Sequence, residues 1–278
     1  MKNMKTLAII MAISVQLFTA CTKEETAKVT NNITNGEVPI PTNLVKIGET
    51  FILGAQAKAV IYSSKAFFVG YNTIYVAMYD SASNTRLTDG HFNLSTLMDM
   101  GSKKHSSPSE VTNDMDSLTQ LWKGAAIFTM TGMWRLDISF HNHKVDLEGN
   151  GSLVSNVVNP ASAMVKVFTV AADDSSKIIV TMLNPTNPKM GLNNFEITIH
   201  KMADMMNFVA VKDYSVEINP TMPSMGHGSP NNVNPTYVDN GHYLGVVNFT
   251  MSGLWRVALT LKKNNVVLDN SQSFDITF

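Results

Sequence analysis

The sequence has one cysteine, Cys21, in 278 residues. No disulfide can form within the chain, so packing alone must hold the fold. Charge is scarce: charged residues make up 15% and the net charge is −1. A balance so near zero leaves no basic footprint for nucleic acid. No stretch repeats its apolar residues at a helical period. Also missing are a Gly-rich phosphate loop, Gly-x-Ser-x-Gly and His-Glu-x-x-His. Asp114, Asp116, Asp173 and Asp174 sit in expected loops, but their spacing fits no standard Ca²⁺ pattern. These absences make a hydrolase or other enzyme the least favoured reading.

What the sequence does have begins at its start. Lys2 and Lys5 precede an apolar run from Leu7 to Phe18, too short for a comfortable membrane span. The run ends in Leu17-Phe18-Thr19-Ala20-Cys21, which resembles a bacterial lipobox whose cysteine is lipidated and becomes the first mature residue. Phe18 departs from the usual aliphatic residue. A lipidated Cys21 would anchor the chain in a membrane and offer no thiol nucleophile. Thr22-Lys23-Glu24-Glu25 resembles an export signal for surface lipoproteins, so the expectation is an outer-membrane lipoprotein, either surface-exposed or facing the periplasm.

The organisation read from the sequence is a signal peptide at 1–20, a polar tether at 21–42, and two β-sandwich domains at 43–158 and 159–278. Short apolar runs separated by turn residues predict an all-β chain. Strands are expected near 44–53, 57–62, 73–80, 90–97, 123–130, 133–141 and 152–158, and again near 163–171, 177–182, 194–201, 214–219, 243–251, 254–262 and 272–278. An internal repeat supports them. Phe128-Thr129-Met130-Thr131-Gly132-Met133-Trp134-Arg135 matches Phe249 to Arg256 at an offset of 121. At that offset Gly70-Tyr71-Asn72 faces Gly191-Leu192-Asn193, and Trp134, Leu136, Ile138 and Phe140 face Trp255, Val257, Leu259 and Leu261. A period of two puts each set on one side of a strand. Each Trp is therefore expected in a core, with Arg135 and Arg256 leaving by the opposite face. The strands flanking Thr131-Gly132 and Ser252-Gly253 are expected to form hairpins.

The chain uses methionine freely, with 18 residues. Met222, Met225 and His227 fall within six positions among Pro and Gly, and His242 precedes the next strand, where it could return to the same end of the sandwich. Thioether sulfur is a soft donor that suits Cu(I), and imidazole accepts copper in either oxidation state. The first unit carries Met98, Met100 and His105 in the corresponding loop, but Lys103 and Lys104 intervene and disfavour a cation there. Structural packing is the competing account of these residues, since Met fills irregular cores. His141 and His143 form a second possible pair, on one face of a strand, with no counterpart at Lys262 and Asn264. His91 and His200 read as isolated surface residues.

The loop Met222 to His227, the segment Gly241-His242-Tyr243-Leu244-Gly245, Phe249 and Gly253-Leu254-Trp255-Arg256 resemble the YtkA-like/FixH-like family of exported β-sandwich modules. The first unit matches at Gly124, Phe128 and Gly132 to Arg135, with Trp122 in place of the Tyr. The resemblance implies an immunoglobulin-like fold in both tandem sandwiches and an association with copper handling or cytochrome oxidase maturation. Two functional readings follow. One is a non-enzymatic envelope protein that binds copper through the Met/His loop for sequestration or delivery. The other is a cell-surface interaction or adhesion module, contacting an envelope or surface protein or a glycan, whose Met loops are structural and hold no metal.

Overall fold

In the computed structural model residues 38–278 are described. The expected signal peptide, the lipidation site Cys21 and most of the tether lie outside the described residues. Among the described residues the regular structure is all strand. The first sandwich contains β1 (Val45–Ile52), β2 (Ala57–Ser63), β3 (Gly70–Asp80), β4 (Arg86–Leu87), β5 (Gly90–Asp99), β6 (Lys104–His105), β7 (Ser109–Asp116), β8 (Leu121–Phe128), β9 (Gly132–Asn142) and β10 (Leu147–Val157). The second contains β11 (Val165–Val170), β12 (Ser176–Asn184), β13 (Gly191–Met202), β14 (Phe208–Ala210), β15 (Ser215–Met222), β16 (His227–Gly228), β17 (Val233–Tyr237), β18 (His242–Phe249), β19 (Leu254–Lys263), β20 (Val266–Asp269) and β21 (Ser273–Thr277).

Each unit stacks two antiparallel sheets in an immunoglobulin-like sandwich. In the first unit they run β1-β2-β3-β8-β7 and β10-β9-β5-β6; in the second, β11-β12-β13-β18-β17 and β16-β15-β19-β20, with β21 also on β19. Alternation of apolar and polar residues makes this possible. Along β9, Trp134, Leu136, Ile138 and Phe140 are buried while Arg135 is exposed, and along β19 Trp255, Val257, Leu259 and Leu261 do the same beside Arg256. The exposed guanidiniums pair with Asp137 and Asp275. The edge strands β7 and β17 were not expected from sequence. Their polar sequences carry little alternation, and each ladder to its neighbour is broken by an irregularity, as edges often are.

The turns at Gly132 and Gly253 correct one expectation. β8 pairs with β3 and β7, whereas β9 pairs with β10 and β5. The two strands flanking the turn thus belong to opposite sheets, and the same holds for β18 and β19. The turn is an arch across the core, not a hairpin within a sheet. Gly132 and Gly253 adopt φ of 121° and 126°, which an L side chain resists. Across the arch Phe128 meets Trp134 at 5.2 Å and Phe249 meets Trp255 at 5.5 Å. Each indole N–H donates to a carbonyl of the arch itself, Trp134 to Met130 at 3.0 Å and Trp255 to Met251 at 2.9 Å. Burial of the ring and satisfaction of its one polar atom coincide at this point.

A second repeated device closes the loop before β3 and β13. Asn72 bonds both backbone groups of Phe68 and the Gly70 carbonyl; Asn193 does the same with Lys189 and Gly191. On the outer face of the first unit's β1-containing sheet, Val60, Ala77, Tyr79 and Leu121 form a further cluster, against which Ile40 and Leu44 pack. The two sandwiches belong to one compact unit covering Glu37–Phe278.

Trp255→Ala should lower stability by about 3–5 kcal/mol, read as a fall in the urea midpoint. Gly253→Ala should also destabilise, because a Cβ there would stand 2.9 Å from the Met222 methyl in a strained backbone conformation. Midpoints equal to wild type in both variants would refute the role assigned to the arch.

Candidate functional site

The Met/His loops fold as short hairpins that cap the arches. In the second unit Met222 pairs directly with His227, and in the first Met98 pairs with His105. The offset is 124 for the methionines and 122 for the histidines, because the first hairpin is longer by one pair, Asp99 with Lys104. The sequence repeat at 121 concealed this equivalence. Directly opposed residues share a face with Cβ atoms about 4.5–5.5 Å apart. Both side chains of each pair therefore lie over the arch. Met98 and Met222 are buried, and their methyls would meet a Cβ at Gly132 or Gly253. His105 stands edge-on to Trp134 at 5.1 Å and His227 to Trp255 at 6.1 Å.

The two hairpins differ in what they leave free. Met225, in the turn after Met222, is 59% exposed, and its N–H and that of Gly226 both donate to the Met222 carbonyl. His227 is half-buried. In the first unit Met100 is exposed, Lys104 pairs with Asp99, and buried His105 holds Nδ1 against the Ser106 carbonyl at 3.0 Å with no partner for Nε2.

His242 does not join Met222, Met225 and His227. It opens β18, whereas the arch and the hairpin lie beyond the other end of that strand, roughly 20 Å away at the usual strand rise. Its ring instead bridges the two sandwiches. Nδ1 lies 2.8 Å from Glu196 of the second unit and Nε2 lies 3.1 Å from Glu110 of the first. Tyr71 donates to Glu110 at 3.2 Å and meets the His242 ring edge-on. The Ser106 N–H adds a bond to the Met205 carbonyl at 2.8 Å. Burial opposes a charge on His242, but the two carboxylates outweigh it and raise its pKa to about 9. In return, the hydrogen bond from His242 holds the Glu196 carboxyl below its ordinary range. An open cleft of 840 Å³ adjoins this bridge, lined among others by Lys65, Tyr71, Lys123, Pro185, Glu196 and His242.

Other histidines also differ from expectation. His200 is 4% exposed, and burial pushes its pKa down to about 4. It is a neutral interior residue beside the same bridge, not a surface one. His91 is exposed but not isolated: it meets His143 at 4.6 Å. Nothing in the sequence spacing links positions 91 and 143; only the pairing of β5 with β9 does. Asp173, placed in a loop as expected, accepts from Tyr214 and pairs with Lys201 and Lys263.

Residues 173–260 match the family model described as YtkA-like. That span contains the second hairpin, β18 and the arch, so the YtkA-like resemblance is shown for the second sandwich. No curated protein matches the chain in sequence. Among solved structures, domains 5–6 of the S-layer protein SbsC share 9% identity over 76% of this chain and 91% of that one, with a TM-score of 0.28. The Yersinia pseudotuberculosis adhesin InvE shares 10% over 85% and 59%, with a TM-score of 0.24. A titin tandem of immunoglobulin domains shares 9% over 83% and 95%, with a TM-score of 0.19. Likenesses at these scores carry no functional argument, and the fold assignment rests on the strand pairing described above.

The bridge predicts a pH dependence. The folded pKa of His242 exceeds the ordinary value of about 6.5, so its contribution is complete below that pH and is lost as pH rises through about 9. The lowered pKa of Glu196 acts oppositely: its contribution is present above about pH 4.5 and fades as pH falls. Wild type should therefore exceed His242→Gln in urea stability most clearly at about pH 5–6.5, with the gap closing by about pH 10. A gap that stays constant from neutral pH to pH 10 would contradict the charged bridge.

Proposed function

We propose that this chain, which carries a YtkA-like segment in its second sandwich, is a non-enzymatic envelope protein, lipid-anchored through Cys21, that takes Cu(I) on the hairpin Met222 to His227. The observation that carries this reading is the direct pairing of Met222 with His227 over the arch, with Met225 exposed in the turn between them. Two thioethers and an imidazole are a donor set that favours Cu(I) over harder ions. The ring of Trp255 lies against the imidazole from the core side, 6.1 Å between centroids. The first hairpin, with Met98, Met100 and His105, repeats the Met–His pair, but its turn adds Lys103 and the Asp99–Lys104 ion pair, which makes it the poorer cation site. Sequestration or delivery of the ion in the outer membrane, surface-exposed or periplasm-facing, is the corresponding role.

A second reading is favoured by the interdomain bridge. Two sandwiches joined by Glu110, His242 and Glu196 present their loops in fixed relation, as an adhesive or scaffolding module at the cell surface requires. In that role the methionines only pack.

Cu(I) competition titrations of the detergent-solubilised chain separate the two. Wild type should bind one equivalent, and the Met225→Ala/His227→Ala variant at least tenfold more weakly, with Met222→Leu serving as a change that keeps the packing. Equal binding by wild type and the double variant would sink the copper reading and leave the interaction module.

A further inference from the structure

The outer face of the first unit's second sheet carries a group that the copper reading does not use. Phe92 of β5 and Phe140 of β9 point into the core, so their neighbours His91 and His141 point outward. These two are direct partners across the ladder. His143 follows two residues after His141 and brings its ring back over the same face. The ring centroids lie 4.6 Å apart for His91 and His143, 5.0 Å for His141 and His143, and 6.4 Å for His91 and His141. Two imidazoles on a tetrahedral ion, with nitrogen–metal distances near 2.0–2.1 Å, place their centroids about 5 Å apart.

The carboxylates around the group supply the second half of the argument. His141 Nε2 lies 2.9 Å from Asp146 Oδ1, and His143 Nδ1 lies 2.8 Å from Asp89 Oδ1. A carboxylate only accepts, so each of these nitrogens carries the proton. In the neutral ring that fixes the tautomer and leaves His141 Nδ1 and His143 Nε2 as lone pairs. This is the arrangement in which carboxylates orient the histidines of metal sites. His91 has ring contacts within the group, and Glu148 stands directly opposite His141 on β10.

We propose that His91, His141 and His143 form a site for a borderline divalent cation of the Zn²⁺ type on the first sandwich, distinct from the soft site on the second. The nitrogens do not yet converge: among the described residues no three His, Cys, Asp or Glu side chains stand ready to hold an ion. Binding therefore turns the rings, a rotamer change that exposed side chains make rapidly. The second unit lacks the group. Ser215 pairs with Lys262 where His91 pairs with His141, Asn264 replaces His143, and Lys262 is committed to Glu217.

Calorimetric titration of the full chain with Zn²⁺, and Co²⁺ absorption as a report of nitrogen coordination, test the proposal. Wild type should take up one Zn²⁺ that the His91→Ala/His143→Ala variant does not. Asp89→Asn, which keeps all three rings, should weaken binding about tenfold or more. Because these side chains lie outside the core, the variants should melt as wild type does, and a shared melting temperature keeps the comparison valid. The Met225→Ala/His227→Ala variant should retain the Zn²⁺ equivalent. Loss of Zn²⁺ in that variant, equal uptake by the His91→Ala/His143→Ala variant, or no wild-type uptake at about 1 mM Zn²⁺ would each overturn the proposal.

Discussion

The buried indole at each arch is the constraint on which the rest depends. A strand leaving one sheet must cross the core to enter the other, and the crossing exposes backbone carbonyls to an apolar interior. Trp134 and Trp255 fill that space, and their N–H groups satisfy a carbonyl of the crossing chain. Glycine permits the turn, and its missing side chain leaves room for the methyl of Met98 or Met222. The Met/His hairpin is therefore first a lid on the arch. Any metal chemistry at Met222 and His227 has been fitted to residues that already have a packing role. This makes Met225, which packs little, the most informative of the three.

The parts of this architecture that were legible in the sequence are those that depend on period and repetition. Trp134 to Phe140 and Trp255 to Leu261 alternate so regularly that their burial could be read directly, and the offset of 121 located their neighbours. Period two does not say which sheet a strand joins, so an arch looked like a hairpin. The Met–His equivalence was hidden because a hairpin can lose a pair without altering its register to the rest of the sheet. The edge strands β7 and β17 were missed because each is bulged and sends too few residues inward to show a period, Val111 and Met115 on β7 and Pro235 on β17.

The candidate sites were less legible because they are made by tertiary pairing. His91 and His143 lie 52 positions apart and meet through a strand ladder. His242 was assigned to the end of the sandwich where its sequence neighbours suggested it could return, but a strand of that length carries it to the opposite end. There it meets Glu110, 132 positions away. A histidine between two acids drawn from different domains leaves no local signature; its only trace in the sequence is that the repeat breaks, with Leu121 at the equivalent position.

That break makes the junction between the two sandwiches one-sided. The docking face of the second unit contains Thr181, Glu196, Thr198, His200 and His242; the same face of the first has Val60, Tyr75, Ala77, Tyr79 and Leu121. In the first unit this face is greasy and already stoppered by Ile40 and Leu44 of its own chain. At the far side, the ladder position that holds Glu110 in the first unit is Val233 in the second, so that position offers no carboxylate to a histidine. A head-to-tail contact of this kind, if repeated, would grow without end. Here neither outward face reproduces the chemistry of the junction: one is covered by Ile40 and Leu44, and the other carries Val233 where the first sandwich holds Glu110, so the clasp is particular to this one contact.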